Sequence, residues 1–112
     1  MLAVYCLLIF LMSDQSMLPL PDLFRMQDKL IHAAAYALMA FLFWQAWRER
    51  LHKHLLIILA VFFCSVYGMT DEWHQSFVPG RDASYSDWVA DTLGAFLLTI
   101  ILYNREFVRL RV

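Results

Sequence analysis

Leu55-Leu56-Ile57-Ile58-Leu59-Ala60-Val61-Phe62-Phe63 decides the fold class of this chain. Wound as a helix, these nine residues are apolar on every side, so no polar stripe is left to face water. The charge-free run continues to Thr70. Two further segments read the same way: Leu30–Trp47 carries no acidic or basic residue, and Trp88–Tyr103 carries only Asp91. At about 1.5 Å per residue, Leu30–Trp47 spans about 27 Å, close to the hydrocarbon thickness of a bilayer. Leu2–Met12 is also apolar but is too short to cross unless its helix continues through Ser13–Met17.

Composition agrees. The chain has 112 residues, one domain's worth, and 62% of them are hydrophobic, against roughly 45–50% in soluble domains. A domain this small exposes much of its surface, so the excess apolar area faces lipid. A soluble bundle would instead need an amphipathic stripe on each helix. The reading is an all-α integral membrane four-helix bundle forming a single domain over residues 1–112, with helices at about 2–16, 30–47, 55–75 and 85–103. A formal charge of −1 offers no basic footprint for nucleic acid. Cys6 and Cys64 lie inside apolar runs and read as small buried hydrophobes. Met1-Leu2-Ala3 supplies no basic n-region, so no cleaved signal peptide is expected. Trp44, Trp47, Trp73 and Trp88 fit interfacial belts.

Charge orients the bundle. Arg48, Arg50, Lys53, Arg105, Arg109 and Arg111 lie on one side, and Arg25, Lys29 and Arg81 on the other. The positive-inside rule puts both termini and the second loop in the cytoplasm. Only Glu49 and Glu106 of the ten acids share that side. In the third loop, Val78-Pro79-Gly80-Arg81 is a type II turn signal.

Helical spacing gathers the chemistry-capable residues at the outer end. Lys29, His32 and Tyr36 recur at i, i+3, i+7 on the second helix. Tyr67, Asp71, His74 and Gln75 share a face of the third, with Glu72 about a quarter-turn away. Ser84, Asp87 and Asp91 form a stripe on the fourth, continued by Gly94 and Ala95 as small packing residues, and Ser84 and Asp87 make a near capping box. Asp87 at a helix start is explained cheaply by the macrodipole, whereas Asp91 inside a span is costly and points to function. Arg81 suits a bidentate clamp on a carboxylate, with Asp71, Glu72 or Asp87 as its partner, and equally suits a phosphate. Two histidines and several carboxylates could bind a divalent metal, but without an H-x-x-x-H or C-x-x-C spacing no metal and no cofactor is assigned.

These residues resemble a known family. Asp28-Lys29-x-x-His32-x-x-x-Tyr36, Tyr67-Gly68-x-x-Asp71-Glu72-x-His74-Gln75-x-Phe77-x-Pro79-Gly80-Arg81, Asp87 and Gly94 are similar to the pattern of VanZ-like membrane proteins, over most of the chain from Ser13 to about Gly94. The founding member is named for an accessory role in resistance to the glycopeptide teicoplanin. The resemblance implies four membrane helices and a link to the cell envelope and antibiotic resistance, and supplies no reaction. The chain departs from the pattern at Asp91, where many such proteins carry Asn; a group that titrates replaces a neutral amide.

Three functions compete. In the first, Lys29, His32, Tyr36, Tyr67, Gln75, Arg81, Asp87 and Asp91 form an outward-facing site that binds a membrane lipid, an envelope glycolipid or an amphiphilic antibiotic. In the second, an intramembrane hydrolase or transferase acts on a lipid headgroup: Glu72 or His74 is the general base, Asp71 orients, and Arg81 holds the oxyanion or phosphate. In the third, the motif only locks the helices together. Catalysis and binding are both compatible with these residues. The expected location is the cell membrane, multi-pass, with the motif loops on the extracytoplasmic side.

Overall fold

A computed structural model describes residues 2–13, 27–78 and 85–111. Helix α1 runs Leu2–Ser13, α2 Gln27–Trp47, α3 Lys53–Gln75 and α4 Tyr85–Arg111, and there is no strand among the described residues. At 21, 23 and 27 residues, α2, α3 and α4 are about 31–40 Å long, enough to cross a bilayer. The 12 described residues of α1 reach about 18 Å, less than the hydrocarbon thickness of a bilayer. The expected extension of α1 to residue 16 falls outside the described residues. The long helices overrun their apolar cores: α2 starts three residues before Leu30, and α4 continues eight past Tyr103. Hydropathy marks where lipid ends, whereas helical hydrogen bonding carries on into the flanking polar residues.

The elements end where local chemistry requires it. Arg48–Leu51 closes α2 with turns, Arg48 N–H donating to the Trp44 carbonyl at 2.8 Å, and His52 is extended (φ −64°, ψ 147°) before α3 begins. At the far end of α3, Phe77 and Val78 bond back three residues to His74 and Gln75, a tightened last turn ahead of Pro79.

Helices α2 and α4 run parallel and form the most extensive pairing, and α3 packs antiparallel mainly against α4. Its cause is Gly94. A Cβ placed there would stand 2.1 Å from the Ala33 carbonyl oxygen and 2.8 Å from the Ala33 Cα, so the two backbones are in contact. Small residues at such crossings permit the close approach that holds membrane helices together. The core then forms two groups, one of Tyr36, Met39, Ala40, Cys64 and Ala95, the other of Phe43, Trp44, Leu56 and Ala60. Trp44 is therefore not a belt residue: it is 1% exposed, whereas Trp73 is 69% exposed. Residue 44 continues the Tyr36–Ala40 stripe of α2 at i+4, which points it inward. Cys64 is buried and Cys6 half-buried, and neither forms a disulfide.

Only 22–28% of each long span is buried within the bundle. Leu30, Leu38, Ile58, Phe62, Met69, Leu93, Leu97 and Ile101 stand exposed along the sides, a larger apolar surface than a soluble monomer presents. These are lipid-facing helices.

The Gly94 contact predicts unequal costs for two glycines. Gly94→Ala should force α2 and α4 apart and lower stability in detergent by at least the roughly 1–3 kcal/mol typical of overpacking. Gly68→Ala, whose Cβ would meet the Asp91 carboxylate at 3.2 Å, should cost less because a side chain can yield. Melting curves for the two variants decide the matter, and equal losses would refute the backbone contact.

Candidate functional site

The parallel pairing of α2 and α4 sets the expected polar stripes against each other as two rungs. Lys29 Nζ pairs with Asp87 Oδ1 at the outer rung. One turn deeper, His32 Nδ1 lies 2.9 Å from Asp91 Oδ1. Spacings of i+3 on α2 and i+4 on α4 keep both rungs in register. Tyr36 continues the same line into the core and is buried. Below Asp91 the helices meet at Gly94, so the rungs stand directly above the point of closest approach.

Helix α3 closes the third side. Gly68 faces Asp91 and Trp88, leaving room for the Asp91 carboxylate, and Trp88 Nε1 donates to the Ser65 carbonyl at 3.0 Å. Thr92 Oγ1 adds a contact to Ser65 Oγ at 3.3 Å. One helical turn beyond Gly68, Glu72 is buried beside this group. One donor atom from each of His32, Glu72 and Asp91 lies within 4.8 Å of the other two. Asp71 is buried as well, and both it and Glu72 act electrostatically on Asp91. Gln75 is buried on the same helix.

The remaining expected site residues turn elsewhere. Tyr67 donates its hydroxyl to the Cys6 carbonyl of α1, and the His74 ring stacks on Phe10 of α1, with centroids 4.7 Å apart and an 11° interplanar angle. Tyr5 returns the tie by donating to the Ala35 carbonyl of α2. Tyr67 and Tyr36 come within 6.4 Å between ring centroids. The α3 residues thus divide in a way that spacing among polar residues alone did not give. Glu72 joins His32 and Asp91, whereas Tyr67 and His74 fasten α1. The inward face of α3 is set by Ala60, Cys64 and Gly68, and Glu72 falls on that line four residues after Gly68. Arg81, its expected pairing with an acid, and Ser84 of the near capping box lie outside the described residues.

From sequence, Gly68 is only a member of the motif, Tyr5 and Phe10 read as lipid-facing or packing residues, and Ser65 carries no assignment. The i, i+4, i+8 run of small residues Ala60, Cys64 and Gly68 was the available signal for the first. Nothing in the sequence of α1 distinguishes Tyr5 and Phe10 from lipid-facing aromatics.

Chemically, the group combines an imidazole that can take or give a proton, two carboxylates, and a lysine–aspartate pair at the mouth. It is able to hold a cationic or hydrogen-bonding headgroup, shuttle a proton, or ligate a cation through His32, Glu72 and Asp91.

A family model described as VanZ/LLP1 matches residues 1–108 of the chain. Neither the curated proteins nor the solved structures give a match.

The outer rung makes a quantitative prediction. Lys29 keeps 29% of its side chain exposed and Asp87 7%, so the pair is partly desolvated. A double-mutant cycle with Lys29→Met and Asp87→Leu should give a coupling energy of at least about 1 kcal/mol, within the roughly 0.5–3 kcal/mol of residues in direct contact. The double variant should be more stable than Lys29→Met alone, which strands a buried carboxylate. Additive losses would reject the pairing.

Proposed function

The chain belongs to the VanZ/LLP1 family of membrane proteins, and on that premise we propose that it binds the polar headgroup of an envelope amphiphile, a glycolipid or an amphiphilic antibiotic, at the outer end of its bundle. The observation that carries the reading is the placement of His32, Glu72 and Asp91 inside the bundle, beneath the Lys29–Asp87 pair, in helices whose other faces contact lipid. Ionisable side chains within membrane spans are expensive and mark ligand, ion or proton sites. An amphiphile already in the leaflet reaches such a site laterally: its chains lie along the exposed apolar faces while its headgroup meets Lys29 and Asp87. The basic residues concentrated at the opposite end support an extracytoplasmic position for this site.

Binding is tested with the purified chain in nanodiscs, using teicoplanin as the amphiphile. Glu72→Gln keeps the size and hydrogen bonding of the side chain and removes its charge. It should weaken teicoplanin binding by about tenfold or more, roughly 1.4 kcal/mol, with an unchanged melting temperature. Binding equal to that of the parent chain would overturn the role of Glu72, and the absence of binding by the parent would overturn the antibiotic as ligand. Release of a cleaved headgroup from any bound lipid would convert the reading to a hydrolase.

Orientation is tested separately. In a Cys6/Cys64-free background, Tyr85→Cys should react with an impermeant thiol reagent added to intact cells, and His52→Cys should react only after lysis. Both positions are exposed, so accessibility in the bundle does not confound the result. The reverse pattern inverts the topology.

A further inference from the structure

We propose that His32, Glu72 and Asp91 form a binding site for one divalent transition-metal ion, in the class of zinc or manganese. The proposal deepens the headgroup reading of the same site, yet its test involves no lipid or antibiotic, so the two stand or fall separately.

The donor set is the first argument. One imidazole nitrogen and two carboxylate oxygens suit borderline and hard divalent ions. Metal–ligand bonds of about 2.0–2.2 Å place neighbouring donors about 3.0–3.5 Å apart. The His32 Nδ1–Asp91 Oδ1 separation is already 2.9 Å, and all three donors lie within 4.8 Å of one another. Glu72 supplies the third donor from α3. The three donors also come from three different helices, so the site needs no local sequence motif to be assembled.

Asp91 is the second, independent argument. It is 0% exposed, and His32 occupies one of its oxygens while the other, Oδ2, has no hydrogen-bond partner. A buried carboxylate oxygen without a partner carries a desolvation cost of about 1–3 kcal/mol or more. Gly68 keeps the space beside that oxygen open, since a Cβ there would stand 3.2 Å from it.

Charge is the third. Glu72 and Asp91 bring two formal negative charges into one small buried volume, with the acid Asp71 nearby. Lys29, on the same face of α2, is engaged by Asp87. Three protein ligands leave coordination positions open on a divalent ion. An anionic or hydroxyl-bearing headgroup oxygen would fill one of them.

The test uses the full chain, purified in detergent without a polyhistidine tag. His52 and His54, stacked 5.4 Å apart at the opposite end, are both changed to Gln so that they cannot contribute. The chain is stripped with chelator, dialysed against Zn²⁺ or Mn²⁺, and its metal content measured. About one equivalent should be retained for at least one of the two ions, and that ion should raise the melting temperature of the chain. Asp91→Asn and His32→Gln should each weaken retention by about tenfold or more and abolish the thermal shift. Less than about one-tenth of an equivalent with both ions overturns the proposal outright, whatever the variants do. Retention by folded Asp91→Asn equal to that of the parent moves the metal elsewhere and overturns it equally. Should Asp91→Asn fail to fold, His32→Gln and the parent's own stoichiometry still decide.

Discussion

The backbone contact between Gly94 of α4 and Ala33 of α2 is the constraint on which the rest depends. In lipid, apolar side chains gain nothing by leaving one hydrocarbon surface for another, so helices associate through close packing and buried polar pairs. Gly94 supplies the first and thereby makes the second possible. With a Cβ at that position the helices would stand further apart, and the 2.9 Å contact between His32 and Asp91, one turn above, would open. The Lys29–Asp87 pair follows from the same register. The crossing and the two rungs are one interaction seen at three heights.

The polar interior this creates is unusually charged for a membrane span. Asp71, Glu72, Asp87 and Asp91 are all buried, and they belong to two helices that approach each other through Gly68 and Ser65. A bundle built for mechanical stability alone would fill that volume with Ala, Ser or Asn, which pack or hydrogen-bond without desolvating charge. Placing carboxylates and an imidazole there costs desolvation energy, and ionisable groups held within membrane spans are the usual mark of a functional site. Helix α1 packs against α2 and α3 beside this group. It is held by the Tyr67–Cys6 and Tyr5–Ala35 hydrogen bonds and by the Phe10–His74 stack. His74 therefore connects the charged end of α3 to α1.

The sequence was informative where a residue's partner is a solvent and uninformative where it is another helix. Leu55–Phe63 announces lipid by itself, because all-round apolarity is a property of one helix. The stripes Lys29–His32–Tyr36 and Asp87–Asp91–Gly94 were equally legible, since i, i+3 and i+4 spacing fixes a shared face before any partner is known. Trp44 and Glu72 were not. A tryptophan near a helix end suits an interface or a core equally well, and only the packing against Leu56 and Ala60 settled it for Trp44. Glu72 sat a quarter-turn from its polar neighbours, and it took the Gly68–Asp91 approach to show which face of α3 is the inner one.

By itself, then, the sequence determined the solvent of each helix, the polar end of the bundle and the residues able to do chemistry there. Those follow from hydropathy and from the 3.6-residue period, both local to a single element. The tertiary structure alone decided which of those residues meet. His32 and Glu72 are 40 positions apart, and Asp91 is a further 19 beyond. Nothing in the spacing within any one helix links them. They come within reach of one another because Gly94 lets the backbones of α2 and α4 close and Gly68 leaves room on α3 for the Asp91 carboxylate.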